Sequence, residues 1–307
     1  MELEPLKCEK LPEKDRERVR NLYCRQSMPS DLMLVGEGRY CMIEHSYKEL
    51  ERRSLRLRPD DVWIGGFARS GTHWLAELTW LVTNNLDVDA ALNEPFVNRV
   101  HYYDYGRPRS YFEGLSSPRY LQTHLAPSLL PPRLIDSCRM VYVIRDPRDV
   151  LVSCYHFFSS HTDVGFLGDL KQFYELFKEG YVVYTPYFTY LKEFLAQKHH
   201  KNLLILFYED MKKDIKTAAK QVAEFFNRHY TDEQLDRICE HLDIHTMKQN
   251  KAINSSDVLG DKGDEMVRKG EAGAWREVFD EFMIKDAEKW LAENFQDTDC
   301  KQRYVNQ

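Results

Sequence analysis

The chain has no run of the roughly 18 to 20 uninterrupted apolar residues that a membrane-spanning helix needs, and Met1 to Arg20 is densely charged with no apolar signal-peptide core. The expectation is a protein neither secreted nor anchored by a helix. Its seven cysteines, at positions 8, 24, 41, 138, 154, 239 and 300, are odd in number and never form a Cys-x-x-Cys pair. That suits a reducing compartment and offers no metal framework. Positive charge is not in surplus: 43 Lys and Arg stand against 49 Asp and Glu, a net charge of -6. Electrostatic wrapping of nucleic acid or of an anionic membrane is therefore disfavoured, although a basic pocket, which needs only a few cations, is not. Glycine (14) and proline (12) are sparse, and no repeat, low-complexity tract or Gly/Ser linker divides the chain. These absences point to a globular, cytoplasmic protein with no nucleic-acid or membrane partner.

Apolar residues make up 43% and aromatics 13%, enough for a sizeable core. Residues 1–307 read as a single domain, with 1–57 an irregular segment packed on a core of 58–295. After the turn Arg58-Pro59-Asp60-Asp61, the apolar run Val62-Trp63-Ile64 leads through a Gly-containing loop into a segment where Trp74, Leu75, Leu78, Leu81 and Val82 recur at helical spacing. The same order returns at Met140 to Ile144. There Asp146 is a natural N-cap, Pro147 suits the first helical position, and Val150, Leu151, Cys154, Phe157 and Phe158 form a core face. A third unit is Leu203 to Phe207, followed by a helix carrying Ala218, Ala219, Val222, Phe225 and Phe226. Trp275 to Phe295 reads as a closing amphipathic helix with Phe279, Phe282, Met283, Ala287, Trp290 and Leu291 on its apolar face. Continuous apolar strands separated by helices predict an α/β fold: a central parallel sheet flanked by helices, with ligands beyond the carboxyl ends of the strands.

The loop Gly66-Phe67-Ala68-Arg69-Ser70-Gly71-Thr72-His73 joins a strand to a helix and has the two glycines of a Walker loop at the right separation. Backbone amides of such a loop can cradle a phosphate. The Lys that follows the second Gly in nucleoside triphosphatases is replaced by Thr72, and the cation is Arg69, ahead of the Gly; this disfavours an ATPase, GTPase or kinase.

Several stretches, in order from about residue 58 to 290, resemble the cytosolic sulfotransferase family. Arg58 to Val62 and the loop Phe67 to Trp74 resemble the loop that binds the 5′ end of 3′-phosphoadenosine 5′-phosphosulfate (PAPS). Arg145 and Ser153 match the pair that holds the 3′-phosphate, and Arg268-Lys269-Gly270 with Gly273-Ala274-Trp275 matches a third signature. Thr123-His124-Leu125 carries the family's catalytic His, and Phe207 to Met211 includes the Tyr that contacts the nucleotide, Tyr208. The resemblance implies a P-loop nucleotide-kinase-like fold and PAPS as co-substrate, with adenosine 3′,5′-bisphosphate (PAP) as product. It also implies a nucleotide site of Arg69, Ser70, Gly71, Thr72, His73, Trp74, Arg145, Ser153, Tyr208, Ile244, Met247, Arg268, Lys269 and Gly270. His124 would be the general base for a small hydrophobic hydroxylated acceptor, Arg69 would stabilise the leaving oxygen, and Phe67, Phe96 and Phe157 would line the acceptor pocket.

Physical chemistry supports these roles. A 3′-phosphate asks for guanidinium forks and fixed donors. A neutral imidazole is the side chain best matched to taking a hydroxyl proton near pH 7. No carboxylate cluster of the Mg²⁺ type accompanies the loop, so no metal is expected.

Four departures from the family pattern matter. Arg69 stands in place of Lys, Gln122 in place of a Lys two positions before the His, and Ile244 in place of a Phe against the adenine. The family's homodimer motif is not matched by residues 276–285. The alternatives are a sulfotransferase-like dehydratase acting on an allylic alcohol such as retinol, or a catalytically weak nucleotide-binding protein.

Overall fold

A computed structural model describes residues 4–24, 31–44, 53–104, 106–160, 165–254, 270–296 and 298–305. The segment expected to be irregular is partly ordered. It holds a three-stranded antiparallel sheet of β1 (Cys8–Lys10), β2 (Leu32–Val35) and β3 (Tyr40–Ile43), and the helix α1 (Glu13–Asn21). Strands of three and four residues are too short for alternation to register, and Val35, Tyr40, Cys41 and Met42 are all buried, so no polar face marks them. β3 docks on the rest of the chain through Cys41, whose N–H donates to Thr185 O at 2.8 Å and whose carbonyl accepts from Tyr184 N at 2.8 Å.

Behind it lies a five-stranded parallel sheet in the order β5-β6-β4-β7-β8. Its strands are β4 (Val62–Gly66), β5 (His101–Tyr102), β6 (Tyr120–Thr123), β7 (Arg139–Ile144) and β8 (Leu203–Phe207). All three strand-and-helix units predicted from apolar periodicity are present. Side chains alternate between two buried faces: Trp63, Leu121, Met140, Tyr142 and Ile144 on one, Val62, Ile64, Tyr120, Val141 and Val143 on the other. The second face packs on α2 (Thr72–Thr83), the first on α3 (Pro147–Ser160). The helices α4 (Ile215–Phe225) and α5 (Asp232–His241) join α2, while α6 (Glu281–Asn294) joins α3. The chain builds β5 and β6 on one side of β4 and then crosses to β7 on the other, which opens a crevice at the carboxyl ends of β6, β4 and β7.

The turn before β4 is structural. Asp61 accepts from Arg119 Nε at 2.7 Å, and the guanidinium also donates to Phe112 O and Arg56 O. Both side chains are fully buried. Removing either partner strands a buried charge, a cost of about 3–5 kcal/mol, so the pair pins the start of β4 to the start of β6.

α3 opens as anticipated: Asp146 Oδ1 accepts from Arg148 N at 2.9 Å and Pro147 occupies the first turn. Two helices differ from expectation. A short helix, Tyr208–Lys213, precedes α4, and Phe226 lies just past the end of α4. The closing segment breaks into a short 3-10 turn, Ala274–Glu277, and α6, because the Asp280 side chain accepts from Met283 N at 2.7 Å and starts a new helix. In that register Phe282 turns away from Met283, Ala287 and Leu291 and is 65% exposed, so it is not a core residue.

Candidate active site

The loop between β4 and α2 is shaped by two left-handed residues, Arg69 (φ 68°) and Gly71 (φ 95°). Glycine is required at 71: a Cβ there would stand 2.6 Å from Tyr208 Cδ2. Gly71 caps α2 without any side-chain hydrogen bond, which leaves the first amides of the helix without a side-chain acceptor. Beside them the hydroxyls of Ser70 and Thr72 are buried and make no hydrogen bond. Orphaned donors around a helix start fit an anion.

The strand end next to the loop carries the cations. Arg145, just past β7, donates to Arg69 O at 3.1 Å and to Glu271 O at 2.7 Å. Its guanidinium lies 4.3 Å from the centre of the Tyr208 ring, and its Nε has no partner. Arg69 Nε donates to Ser153 Oγ at 3.3 Å, and its guanidinium lies over Phe157 at 4.7 Å. Asp149, one helical turn before Ser153 on α3, is buried. It accepts from Gly273 N at 2.6 Å and Trp275 N at 3.1 Å, which clasps the segment after Gly270 against α3. Trp74 meets Tyr208 edge-on at 5.8 Å and donates through its indole N–H to Leu242 O at 3.0 Å. Ile244 packs so closely on Gly270 (φ 65°) that a Cβ at 270 would lie 2.1 Å from Ile244 Cδ1. Met247 is buried behind them. Arg145, Ser153, Arg69, Tyr208, Trp74, Ile244 and Gly270 are thus linked around one crevice, whereas Arg268 and Lys269 lie outside the described residues.

The side chain of His73 is occupied elsewhere. Its Nε2 lies 3.0 Å from Ile253 O, its ring packs on Phe96 at 3.8 Å, and burial lowers its pKa to about 4. Only its backbone is left for a ligand of the loop.

His124 follows β6 directly. Its Nδ1 lies 2.6 Å from Gly66 O, the carbonyl at the start of the phosphate loop. Since a carbonyl only accepts, Nδ1 carries the hydrogen and Nε2 is left as a lone-pair base. Burial holds the imidazole below its ordinary pKa; Asp104 and the Gly66 carbonyl oppose that shift, and Arg69 adds to it. Tyr102 and Tyr184 flank the ring at 5.6 and 5.7 Å, and their hydroxyls lie 2.7 Å apart. Gln122 is buried with its Oε1 unpartnered.

Two of the three expected pocket residues are placed differently. Phe67 is 1% exposed, enclosed edge-on by Phe177, Tyr184, Tyr187 and Tyr190, so it backs the site from the core. Phe96 lies on the α2 side of the sheet between His73 and the buried Arg99, which takes its ring out of any open wall. Phe157 is half-buried under Arg69. Sequence reasoning missed Asp104, Tyr102 and Tyr184. The parallel register Tyr102↔Gln122 brings Asp104 level with His124, but no local pattern reveals that pairing.

Among the described residues no group of three His, Cys, Asp or Glu side chains is placed to hold a metal ion, and no helix is long and apolar enough to cross a membrane.

A family model described as a sulfotransferase domain matches residues 59–299. Mouse sulfotransferase 1E1 is 29% identical over 290 residues, spanning 90% of this chain and 98% of that protein. Dog sulfotransferase 1B1 is 33% identical over 233 residues, spanning 72% and 79%. Among solved structures, retinol dehydratase in complex with androsterone and the inactive cofactor PAP superposes with a TM-score of 0.89 at 31% identity, covering 96% of this chain and 97% of the other. A mouse sulfotransferase complexed with PAP gives 0.73 at 26% identity, covering 87% and 98%.

Proposed function

The chain belongs to the sulfotransferase family, and from that premise we propose that it transfers a sulfuryl group from PAPS to the hydroxyl of a small hydrophobic acceptor, with His124 as general base. The new bond joins the acceptor oxygen to sulfur, and the bond that breaks joins sulfur to the bridging oxygen of the 5′-phosphate. The acceptor proton passes to Nε2 of His124 and the electron pair leaves with PAP. One observation carries the reading: the Gly66 carbonyl at the head of the phosphate loop accepts from His124 Nδ1 at 2.6 Å. A single backbone group thereby sets the base and the anion cradle side by side.

The residues present fit the nucleotide. The unpartnered hydroxyls of Ser70 and Thr72 and the uncapped start of α2 suit the 5′-phosphosulfate end, and Arg145 with Ser153 and Gly270 suits the 3′-phosphate. Trp74, Tyr208, Ile244 and Met247 would surround the base, with Ile244 giving an aliphatic rather than a stacking contact. Arg268 and Lys269 are assigned to the same phosphate on the strength of the motif. Arg69, whose charge reaches both Ser153 and His124, is placed to offset the charge that develops on the leaving oxygen. No metal is needed in this scheme. The acceptor wall is built from Phe157, Tyr102 and Tyr184.

An odd number of cysteines with no Cys-x-x-Cys pair supports a cytoplasmic site of action. With the family's dimer motif missing from residues 276–285, the reading includes a monomer, or a dimer through another surface.

The likeness to retinol dehydratase favours a second reading, in which the sulfate ester of an allylic alcohol loses sulfate and a carbon-bound proton to leave a new double bond. Mass analysis of the products of retinol and of a simple phenol with PAPS separates ester from anhydro compound. Calorimetry in EDTA tests the common premise: PAP should bind far more tightly than AMP, and equal affinities would remove the PAPS reading.

A further inference from the structure

We propose that Asp104 is a positioning residue for the transfer: its carboxylate holds the backbone of His124 in the pose from which Nε2 meets the acceptor, and places a fixed negative charge beside the ring. The inference rests on the reading of His124 as the base. It starts from geometry. β5 ends at Tyr102, so the edge of β6 beyond Gln122 has no strand to pair with. Asp104, 1% exposed, takes over that edge. Its Oδ1 accepts from the Thr123 hydroxyl at 2.6 Å and its Oδ2 from the His124 amide at 2.8 Å. Thr123 Oγ1 in turn accepts from Leu125 N at 3.0 Å, so three consecutive residues are tied to one carboxylate.

The two restraints on His124 are complementary. Asp104 fixes its main chain, and the Gly66 carbonyl fixes the rotation and tautomer of its ring. A base held at both points loses little on meeting the acceptor, which is how positioning lowers a barrier. A buried carboxylate costs desolvation, and charge-assisted bonds from an O–H and an N–H offset that cost.

The charge also acts on the ring. The groups that face His124 are Arg69 from the phosphate loop, Asp104 and Tyr102 from the β5 edge, Tyr184 from the segment before Tyr187, and the Gly66 carbonyl. Burial and Arg69 favour the neutral imidazole, while Asp104 favours the imidazolium that forms as the acceptor proton arrives. Removing the charge therefore lowers the imidazole pKa. The acidic limb of kcat/KM then moves to lower pH while the plateau falls, because the base is weaker and less firmly held. A residue with a purely architectural role would lower the plateau and leave the limb where it was.

The test uses the full chain, with PAPS and a simple phenol as probes and ¹⁵N-histidine NMR on the PAP complex. For Asp104→Asn we expect the His124 midpoint and the acidic limb to fall together to lower pH, kcat to drop about tenfold, and PAP affinity to stay at the wild-type value. Asp104→Glu should restore the limb. An acidic limb left at its wild-type position in Asp104→Asn, whatever happens to kcat, would overturn the proposal. Should that variant fail to bind PAP, Thr123→Val decides: it removes one donor to the carboxylate and keeps the bond to the His124 amide, so a lower kcat at wild-type PAP affinity supports the proposal, and an unchanged kcat, or PAP affinity lost in step with kcat, overturns it. His124→Ala in the same assay separates the premise from the inference, since full activity there removes the base itself whatever Asp104 does.

Discussion

The proposed nucleotide side of the crevice and the proposed acceptor side are built in different ways. The first centres on one contiguous stretch, Gly66 to Trp74, in which a left-handed Arg, a left-handed Gly and an uncapped helix start present backbone amides in a row, with Arg145 and Ser153 joined to it through Arg69. The second gathers Tyr102, Asp104, His124, Phe157 and Tyr184 from separate parts of the chain, and its central imidazole takes its tautomer from a loop carbonyl and its main-chain position from an edge carboxylate. An anion site asks for little more than oriented amides and a few guanidinium groups, which a short motif can carry. A base needs a particular tautomer, a particular degree of burial and particular neighbouring charges, which are properties of its surroundings.

If the two sides are separable, His124→Ala should give the largest effect: kcat lower by about 10²-fold or more, with PAP affinity by calorimetry unchanged. A parallel loss of PAP binding would merge the two sides into one. Arg145→Ala should do the converse. Losing charge-assisted bonds worth about 1.5–3 kcal/mol weakens PAP roughly 10- to 100-fold and leaves AMP nearly untouched; a proportional loss for AMP would show that Arg145 merely supports the loop through the Arg69 carbonyl. The smallest effect sharpens the comparison by acting on backbone alone. In Gly71→Ala a Cβ would meet Tyr208 at 2.6 Å in a left-handed conformation, at a cost of about 1–3 kcal/mol. A lowered Tm with weakened PAP binding is expected, whereas the pH at which His124 titrates should not move.

The same division explains what could be read in advance. Val62 to Ile64, Met140 to Ile144 and Leu203 to Phe207 announced themselves because strands buried on both faces are continuously apolar. The phosphate loop, Arg145, Ser153 and His124 were visible through their motifs. The N-terminal strands were not, since three or four residues carry no period, and Phe282 was misplaced because the Asp280 cap resets the helical phase after Phe279. Phe67 and Phe96, which the family resemblance assigned to the pocket wall, are enclosed by core side chains, a distinction that hydrophobicity cannot make because both environments are apolar.

By itself, the amino-acid sequence announced three strand-and-helix units of the parallel sheet, the two-glycine loop between the first strand and its helix, and, through a family motif, the candidate base His124, because each follows from local periodicity or a short contiguous motif. Only the tertiary structure decided which nitrogen of His124 is free and which carboxylate steadies it. Asp104 reaches the imidazole's backbone across the β5–β6 register and Gly66 reaches its ring across the β4–β6 register, and hydrogen bonds between strands depend on how the chain pairs with itself, which no stretch of residues encodes alone.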